Sequence, residues 1–314
     1  CRSDPCLFLM RRMYQDRQQW LLMLVHVDDC DLAGTTQLIV DDCKVVCKDI
    51  WACTDVDPEY MLGVRRRLTR DETTGKVISV ELDMIAFIEG MFKTFEQRMP
   101  GKKRELPMTP NFTASMADET PEEESKAVLD AGYQCAMGML LWASRRVYSS
   151  CRVGVSILCR VMSRPSWAAF YEAMGMIQWM YENRQRGLKF SKGVNWFPLG
   201  MVDASNLPDR KDAKCQFGYV IMLAGAPIVE LSKKLVHRGL GSGHNEYMAL
   251  HFANQGLVWL RNLLTEIGLE ELIQGPTVML EDNKAAITWA TEDLVSMGNQ
   301  YIYLPYHYNK EVQE

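Results

Sequence analysis

The sequence lacks any run of about 18 apolar residues, the length that a helix needs to cross a lipid bilayer. The charged start of the sequence does not have the pattern of a secretory signal peptide, and none is expected. The ten cysteines include no CxxC pair, the usual spacing of zinc-binding motifs. These absences argue against a membrane protein and predict a reducing, intracellular setting.

Cys43, Cys47 and Cys53 are the cysteines that come nearest to a metal-binding cluster. Their spacing differs from that of zinc sites, and no histidine lies near them in the sequence. We therefore interpret them as small residues on the face of a helix.

The sequence also has no excess of positive charge. Its 35 Lys and Arg residues are outnumbered by 40 Asp and Glu residues, which gives a net charge of −5. Any contact with nucleic acid must therefore be local. Four short basic patches are candidates, and an ordinary solvated surface is the alternative for each. They are Arg65–Arg67 with Arg70, Lys102–Arg104, Arg145–Arg146 with Arg152, and Lys233–Lys234 with Arg238.

The N-terminal part of the chain predicts a β-hairpin with acids at its turn. An apolar run of strand length, residues 21–27, stops at the pair Asp28 and Asp29. A second short run follows over residues 31–34. Two strands joined by an acidic turn are the simplest interpretation of this pattern.

Further along, helical spacing predicts a helix over residues 38–50, and a turn at residues 71–75 predicts a second hairpin. Residues 100–124 contain several prolines and an acidic run, which indicates a linker or extended excursion and a domain boundary nearby. Residues 125–190 carry the spacing of packed helices. Two apolar lines are predicted to form their core: Tyr133, Met137, Leu140 and Leu141, and Trp167, Phe170, Met174, Ile177 and Met180.

Beyond residue 195 the sequence predicts alternating strands and helices. Three strands, a long helix, a fourth strand and a short helix follow in this order. They are predicted over residues 199–202, 217–223, 228–231, 244–267 and 277–280, and from residue 283. This order is that of an RNase H-like fold, in which helices flank a mixed sheet. The predicted fold class is therefore α+β or α/β.

Three acids in this last region occupy positions from which they can meet. Asp203 and Asp282 each end an apolar strand. Glu246 lies in the long helix, in line with the apolar residues Leu250 and Ala253. A buried, ionised acid is costly unless a cation, a donor or a raised pKa compensates for its burial. Convergence on Mg²⁺ or Mn²⁺ would satisfy all three acids and predicts a two-metal phosphodiesterase.

Each of these acids also has a simpler interpretation. Asp203 and Asp282 are of the type that caps turns or helices, and Glu246 is of the type that pairs with a lysine. Asp28 and Asp29 form a second candidate site, because such a turn carries carboxylates to the metal of a nucleotidyltransferase. An ordinary acidic turn is the alternative for this pair.

Taken together, these residues resemble the pol polyprotein of copia-type LTR retrotransposons over nearly the whole chain. Residues 26–29 (HVDD) are similar to the aromatic-Val-Asp-Asp motif of the polymerase, with histidine in place of the usual aromatic residue. The RNase H motifs are matched more specifically, by several segments in the family's order. These segments are residues 203–205, 218–219, 231–234, 245–249 and 282–286, and the segments similar to the upstream, polymerase part of the family are residues 60–64, 70–75, 107–110 and 138–145.

The resemblance implies three domains. Residues 1–110 are expected to form the C-terminal part of a reverse transcriptase palm. Residues 111–195 are expected to form a helical thumb or connection. Residues 196–314 are expected to form an RNase H-like domain, with a mixed sheet and flanking helices.

The resemblance also implies which acids bind metal. Asp28 and Asp29 would be polymerase ligands, and Asp203, Glu246 and Asp282 would be RNase H ligands, with Mg²⁺ or Mn²⁺ as the cofactor. The expected partners are RNA–DNA hybrid and template–primer nucleic acid, with dNTP bound only by an intact parent protein. The expected location is the cytoplasm, a virus-like particle or the nucleus.

Two departures from the family's pattern lower the expected activity. The family's other polymerase acid lies upstream of the Asp-Asp turn. This chain, which opens at Cys1 rather than methionine, is expected to be a fragment that starts too late to contain it, so that it should not polymerise alone. The last RNase H acid of the family corresponds to Tyr303, within residues 300–303 (QYIY). A fourth carboxylate is thus expected to be missing there.

Two kinds of function remain open from the sequence. The first is metal-dependent hydrolysis of RNA in RNA–DNA hybrids, by a fragment with RNA-directed DNA polymerase ancestry. The second is a catalytically decayed or repurposed module that binds nucleic acid through its basic patches, or an inert relic.

Overall fold

The chain combines helices with antiparallel and mixed β-sheets, which confirms the predicted α+β class. It divides into two compact units: Cys1–Leu62 with Val258–Pro276, and Gly63–Leu257 with Thr277–Glu314. The computed structural model describes residues 1–14, 16–54, 59–114, 119–194, 196–205, 212–236, 238–239, 241–292 and 303–312.

The first unit is built on a three-stranded antiparallel sheet with the strand order β1-β2-β3. The strands of this unit are β1 (Leu7–Tyr14), β2 (Arg17–His26), β3 (Asp29–Gly34) and the two-residue β4 (Tyr60–Met61). The turn Val27–Asp28 joins β2 to β3, and His26 pairs with Asp29 across it. The predicted acidic hairpin is confirmed. β1 was not predicted, because Arg11 and Arg12 interrupt its apolar run.

Helix α1 (Gln37–Trp51) packs against this sheet and confirms the helix predicted there. Its Ile39 is completely buried. A Cβ atom at Gly34 would lie only 2.7 Å from the Ile39 side chain, so that glycine allows the helix to approach the strand. The later segment of the unit attaches to the N-terminus, where the Ser3 hydroxyl donates to Glu266 at 3.0 Å.

The second unit contains an antiparallel sheet formed by β5 (Val64–Arg70), β6 (Val77–Asp83) and β7 (Leu188–Ser191). Asp71 fixes the turn between β5 and β6 by accepting hydrogen bonds from the Thr74 amide and hydroxyl, each at 2.7 Å. The second predicted hairpin is therefore confirmed. The helical prediction up to residue 190 is wrong at its end, because β7 pairs with β6 there.

Five helices surround the main core of this unit. They are α2 (Ile85–Phe95), α3 (Glu122–Asp130), α4 (Tyr133–Ser144), α5 (Arg152–Cys159) and α6 (Trp167–Glu182). The residues of the two predicted core lines are buried or packed against the core, as expected. The Tyr133 hydroxyl, which is enclosed in this core, donates to the Leu158 carbonyl at 2.9 Å. None of the described helices is long and apolar enough to span a membrane.

A buried glutamate anchors the proline-rich segment on α6. Glu172 is 4% exposed and accepts hydrogen bonds from Arg104 at 2.7 Å and from the Thr109 amide at 2.8 Å. Burial raises the pKa of Glu172, but these hydrogen bonds outweigh it and hold that pKa below its ordinary value. Gly175 on the same helix leaves the space that the Arg104 guanidinium occupies, and a Cβ atom there would overlap with it.

The second sheet of this unit is mixed, with the strand order β10-β9-β8-β11. Its strands are β8 (Leu199–Ala204), β9 (Gln216–Leu223), β10 (Ala226–Lys234) and β11 (Val278–Leu280). The accompanying helices are α7 (Ser242–Ile267), α8 (Lys284–Thr291) and α9 (Tyr303–Glu311). β11 is parallel to β8, whereas the other neighbours are antiparallel. The predicted order of three strands, helix, strand and helix is confirmed.

A smaller core lies between this sheet and its helices. Tyr247 and Ala253 of α7 are completely buried, and Leu250 is 5% exposed, which confirms the predicted inward line of the helix. The ring of Phe217 on β9 stacks on that of Phe252, with 4.8 Å between the ring centroids. The core thus fixes which face of α7 is turned to the sheet.

We expect Arg104→Met to lower the free energy of unfolding by about 3–5 kcal/mol, because it leaves the Glu172 carboxylate buried without its cation. The double variant Arg104→Met/Glu172→Met should lose less, since it removes both charges. Urea denaturation of both variants and the unaltered chain measures the difference. A double variant less stable than the single one would contradict this account.

Candidate metal centre

Parallel pairing brings Asp203 and Asp282 to the same edge of the sheet. Met201 on β8 pairs with Leu280 on β11. Asp203 and Asp282 each lie two residues beyond this pair, and successive side chains of a strand alternate between its faces. The two aspartates are therefore expected at the same level and on the same side, and both are exposed.

Glu246 joins them from the first turns of α7. Glu246 is 6% exposed. One of its carboxylate oxygens, one of Asp203 and one of Asp282 all lie within 4.8 Å of one another. The Ala204 amide also interacts with the Glu246 carboxylate. The second oxygen, Oε2, has no hydrogen-bond partner among the described residues.

The arrangement fits a divalent cation. Three carboxylates offer the hard oxygen ligands that Mg²⁺ and Mn²⁺ prefer. A buried oxygen without a partner is costly, and a cation would supply the missing interaction. The group formed by Asp203, Glu246 and Asp282 is the one set of three metal-ligating side chains found at this spacing in the described part of the chain.

The electrostatics of the site depend on Glu246. Burial raises the pKa of Glu246 to about 8, and the negative charges of Glu281, Asp203 and Asp282 contribute to the shift. Without a cation this carboxyl is therefore mostly protonated near neutral pH. A bound cation would favour the ionised form, so metal binding and proton release are coupled.

Asn283 holds the turn that carries Asp282. Its side-chain oxygen caps α8 by accepting hydrogen bonds from the Ala285 amide at 3.0 Å and the Ala286 amide at 3.2 Å. The aspartate before it is thus attached to a well-defined helix start. Capping here is the role of Asn283 rather than of Asp282.

Glu281 is a neighbour of the centre that the sequence interpretation missed. Its Oε1 accepts a hydrogen bond from the Asn283 amide at 2.9 Å, and its buried Oε2 has no partner in the part of the chain that the structure describes. Burial raises its pKa, and Asp282 and Asp203 add to the shift. The acidic pair Glu281-Asp282 at a strand end was the available signal.

Asp28 and Asp29 lie apart from this group, in the first unit. Asp28 occupies the β2–β3 turn, Asp29 begins β3, and both are exposed. Within the described residues, no third ligand joins them at metal-binding spacing. The structure thus places the pair at a hairpin turn, and its metal-binding role stays a prediction.

Cys43 and Cys47 lie on one face of α1, as predicted, with their sulfur atoms 4.0 Å apart. Cys53 lies beyond the end of the helix, so the prediction that it is on the helix face is wrong. Burial raises the pKa of Cys30 on β3, and the nearby thiols of Cys47 and Cys53 add to the shift. These thiols do not form a three-ligand group at metal-binding spacing in the described ranges.

Each of the four basic patches contains a cation that is paired with an acid. Arg65 donates to Asp83 at 2.9 Å, and Arg104 binds Glu172. The other two pairs are Arg152 with Glu230 and Lys234 with Asp212, each at 2.9 Å. Part of the positive charge of each patch is thus neutralised within the chain. The segment that aligns with the family's last acid, residues 300–302, lies outside the described residues, as does the side chain of Tyr303.

Comparison with known proteins identifies relatives among transposon proteins. The Retrovirus-related Pol polyprotein from transposon TNT 1-94 of Nicotiana tabacum is 22% identical over 313 residues, which cover 99% of this chain and 22% of that protein. The corresponding polyprotein from transposon RE2 of Arabidopsis thaliana is 22% identical over 309 residues, 98% of this chain and 20% of that protein. A transposon Ty5-1 protein of Saccharomyces cerevisiae is 24% identical over 218 residues, 68% of this chain and 66% of that protein.

These relatives confirm the resemblance to a Pol polyprotein, and they extend over nearly the whole chain. The chain spans about a fifth of the length of the two plant polyproteins. No protein-family model and no solved structure matches it.

We expect the metal-free protein to lose stability as the pH rises from about 4.5 to about 8. Glu246 ionises near its ordinary pKa of 4.5 in the unfolded chain, but only near pH 8 in the folded one. The stability contributed by the protonated group is therefore complete below pH 4.5 and lost above pH 8. Glu246→Gln should flatten this decline.

Thermal unfolding in a chelator, measured across this pH range, tests the expectation. Glu292→Gln is the control, because Glu292 is an exposed acid on the same part of the chain. Its melting temperature should follow that of the unaltered protein. Parallel curves for Glu246→Gln and the unaltered protein would contradict the burial of an uncompensated carboxyl.

Proposed function

We propose that this chain, whose homologues over nearly its whole length are transposon Pol polyproteins, carries an RNase H-type centre that hydrolyses the RNA strand of RNA–DNA hybrids. Asp203, Glu246 and Asp282 are the proposed ligands of Mg²⁺ or Mn²⁺. The observation that carries the proposal is the spacing of these carboxylates, one of which is buried and lacks a partner for an oxygen among the described residues.

Each acid has a distinct place in the proposed centre. Asp203 and Asp282 are exposed at the sheet edge, where they can reach a phosphate-bound cation from outside. Glu246 approaches from α7 and closes the buried side of the site. Divalent cations in such sites activate water and stabilise the leaving oxygen of a phosphodiester. The side chains would hold the cations in place, and Glu246 would release its proton when a cation binds.

The proposed domain organisation follows the resemblance. Residues 196–314 would form the RNase H-like domain, which agrees with the mixed sheet and its strand and helix order. Residues 1–110 would be the palm part of a reverse transcriptase, and residues 111–195 its thumb or connection. The helices α3 to α6 lie in that middle region.

Asp28 and Asp29 are assigned to polymerase chemistry in this proposal. The two-residue turn after β2 exposes adjacent carboxylates, a form suited to ligating a metal that binds an incoming dNTP. Template–primer nucleic acid would be the partner of this hairpin in an intact parent protein. Hydrolysis of the hybrid is the activity proposed for the chain itself.

We expect the unaltered chain to cleave a labelled RNA strand in an RNA–DNA hybrid when Mg²⁺ or Mn²⁺ is added. Glu246→Gln should lower the rate by about 100-fold or more, because it removes a ligand and its charge from the centre. Gel analysis of the products over time measures both rates. Cleavage should stop in a chelator.

The matched control for this assay is again Glu292→Gln, which removes an equal charge from an exposed position. It should cleave at the rate of the unaltered chain. Failure of the unaltered chain to cleave with either cation would overturn the proposed hydrolysis, and equal rates for Glu246→Gln would overturn the assignment of this residue.

A further inference from the structure

Glu281 is the first residue after β11 and the residue immediately before Asp282. Its backbone is therefore fixed by the same strand that carries a proposed ligand. One carboxylate oxygen, Oε1, accepts a hydrogen bond from the Asn283 amide at 2.9 Å. This bond turns the side chain back along the start of α8 and restricts where its other oxygen can lie.

That other oxygen, Oε2, is buried and has no hydrogen-bond partner among the residues that the structure describes. Glu246 Oε2 is in the same condition. Two buried carboxylate oxygens without partners, on two different elements, are unusual, because such groups are normally satisfied. Their common need is for a donor or a cation.

Glu281 is electrostatically close to the whole group. Asp203, Glu246 and Asp282 all interact with its charge, and its effect on Glu246 exceeds that of Asp203 or Asp282. It does not belong to the closest set, in which the oxygens lie within 4.8 Å of one another. Glu281 therefore lies beside the three acids rather than among them.

We propose that Glu281 is a fourth carboxylate of the metal centre, whose Oε2 binds the divalent cation at the edge of the group formed by Asp203, Glu246 and Asp282. This inference rests on the proposed function, because it needs that group to hold a cation. It gives the centre a carboxylate from the β11 end, independent of position 303, where the sequence has tyrosine.

A purely structural role for Glu281 makes a different prediction. In that role Glu281 would stabilise the start of α8 by accepting a hydrogen bond from the Asn283 amide and by placing a negative charge near the helix N-terminus. Glutamine keeps the hydrogen-bond acceptor but removes the charge. The variant Glu281→Gln thus separates the two roles, because only the metal role predicts weaker Mn²⁺ binding.

The experiment measures Mn²⁺ binding to the full chain by electron paramagnetic resonance, with thermal unfolding in a chelator as a second readout. Glu281→Gln should weaken Mn²⁺ binding by about 10–100-fold. Its metal-free melting temperature should rise, since neutralising Glu281 removes its repulsion by the nearby carboxylates of Asp203 and Asp282. Glu292→Gln is the control and should change neither quantity.

The outcomes distinguish this inference from the proposed function. If Glu246→Gln weakens Mn²⁺ binding and Glu281→Gln does not, Glu281 is not part of the centre, although the centre stands. If neither variant alters binding, or the unaltered chain binds no Mn²⁺, both proposals fail. A lower metal-free melting temperature for Glu281→Gln with unchanged Mn²⁺ affinity would assign it to helix capping alone.

Discussion

The parallel pairing of β11 with β8 is the constraint on which the candidate centre depends. An antiparallel partner would run in the opposite direction, and its end would lie at the far edge of the sheet from Asp203. A parallel partner requires a long crossover connection, and here that connection includes α7. The same crossover supplies Glu246. The parallel arrangement therefore accounts for the positions of both Asp282, after β11, and Glu246, on the inward face of α7.

The two buried glutamates Glu172 and Glu246 differ in how their negative charge is compensated. Glu172 on α6 is surrounded by donors from the proline-rich segment, which satisfy both its oxygens and lower its pKa. Glu246 on α7 is buried to a similar extent, but its nearest charged neighbours are other acids and its pKa rises. The first is compensated from within the chain. The second avoids its charge by protonation, or by a bound cation if the proposed centre is occupied.

The sequence predicted the elements whose periodicity is strong. The inward line of α7 and the strands that end at Asp203 and Asp282 were recognisable, because each combines a clear apolar pattern with one misplaced acid. β7 was missed because it has only four residues, and its pairing with β6 depends on residues over a hundred positions away. Glu281 was missed for a similar reason. Its burial arises from tertiary packing, and in the sequence it is one more acid beside Asp282.

The space beside Gly175 limits which substitutions are tolerated at this position and at its neighbours. The Arg104 guanidinium fills that space on its way to Glu172, so a side chain at position 175 would force the guanidinium to move from its place. Loss of Arg104 alone leaves a buried charge, and loss of Glu172 alone leaves an arginine without its acceptor. The three positions are therefore coupled, because a substitution at one changes the cost of a substitution at the others. Related sequences should therefore either retain all three residues or have replaced them together.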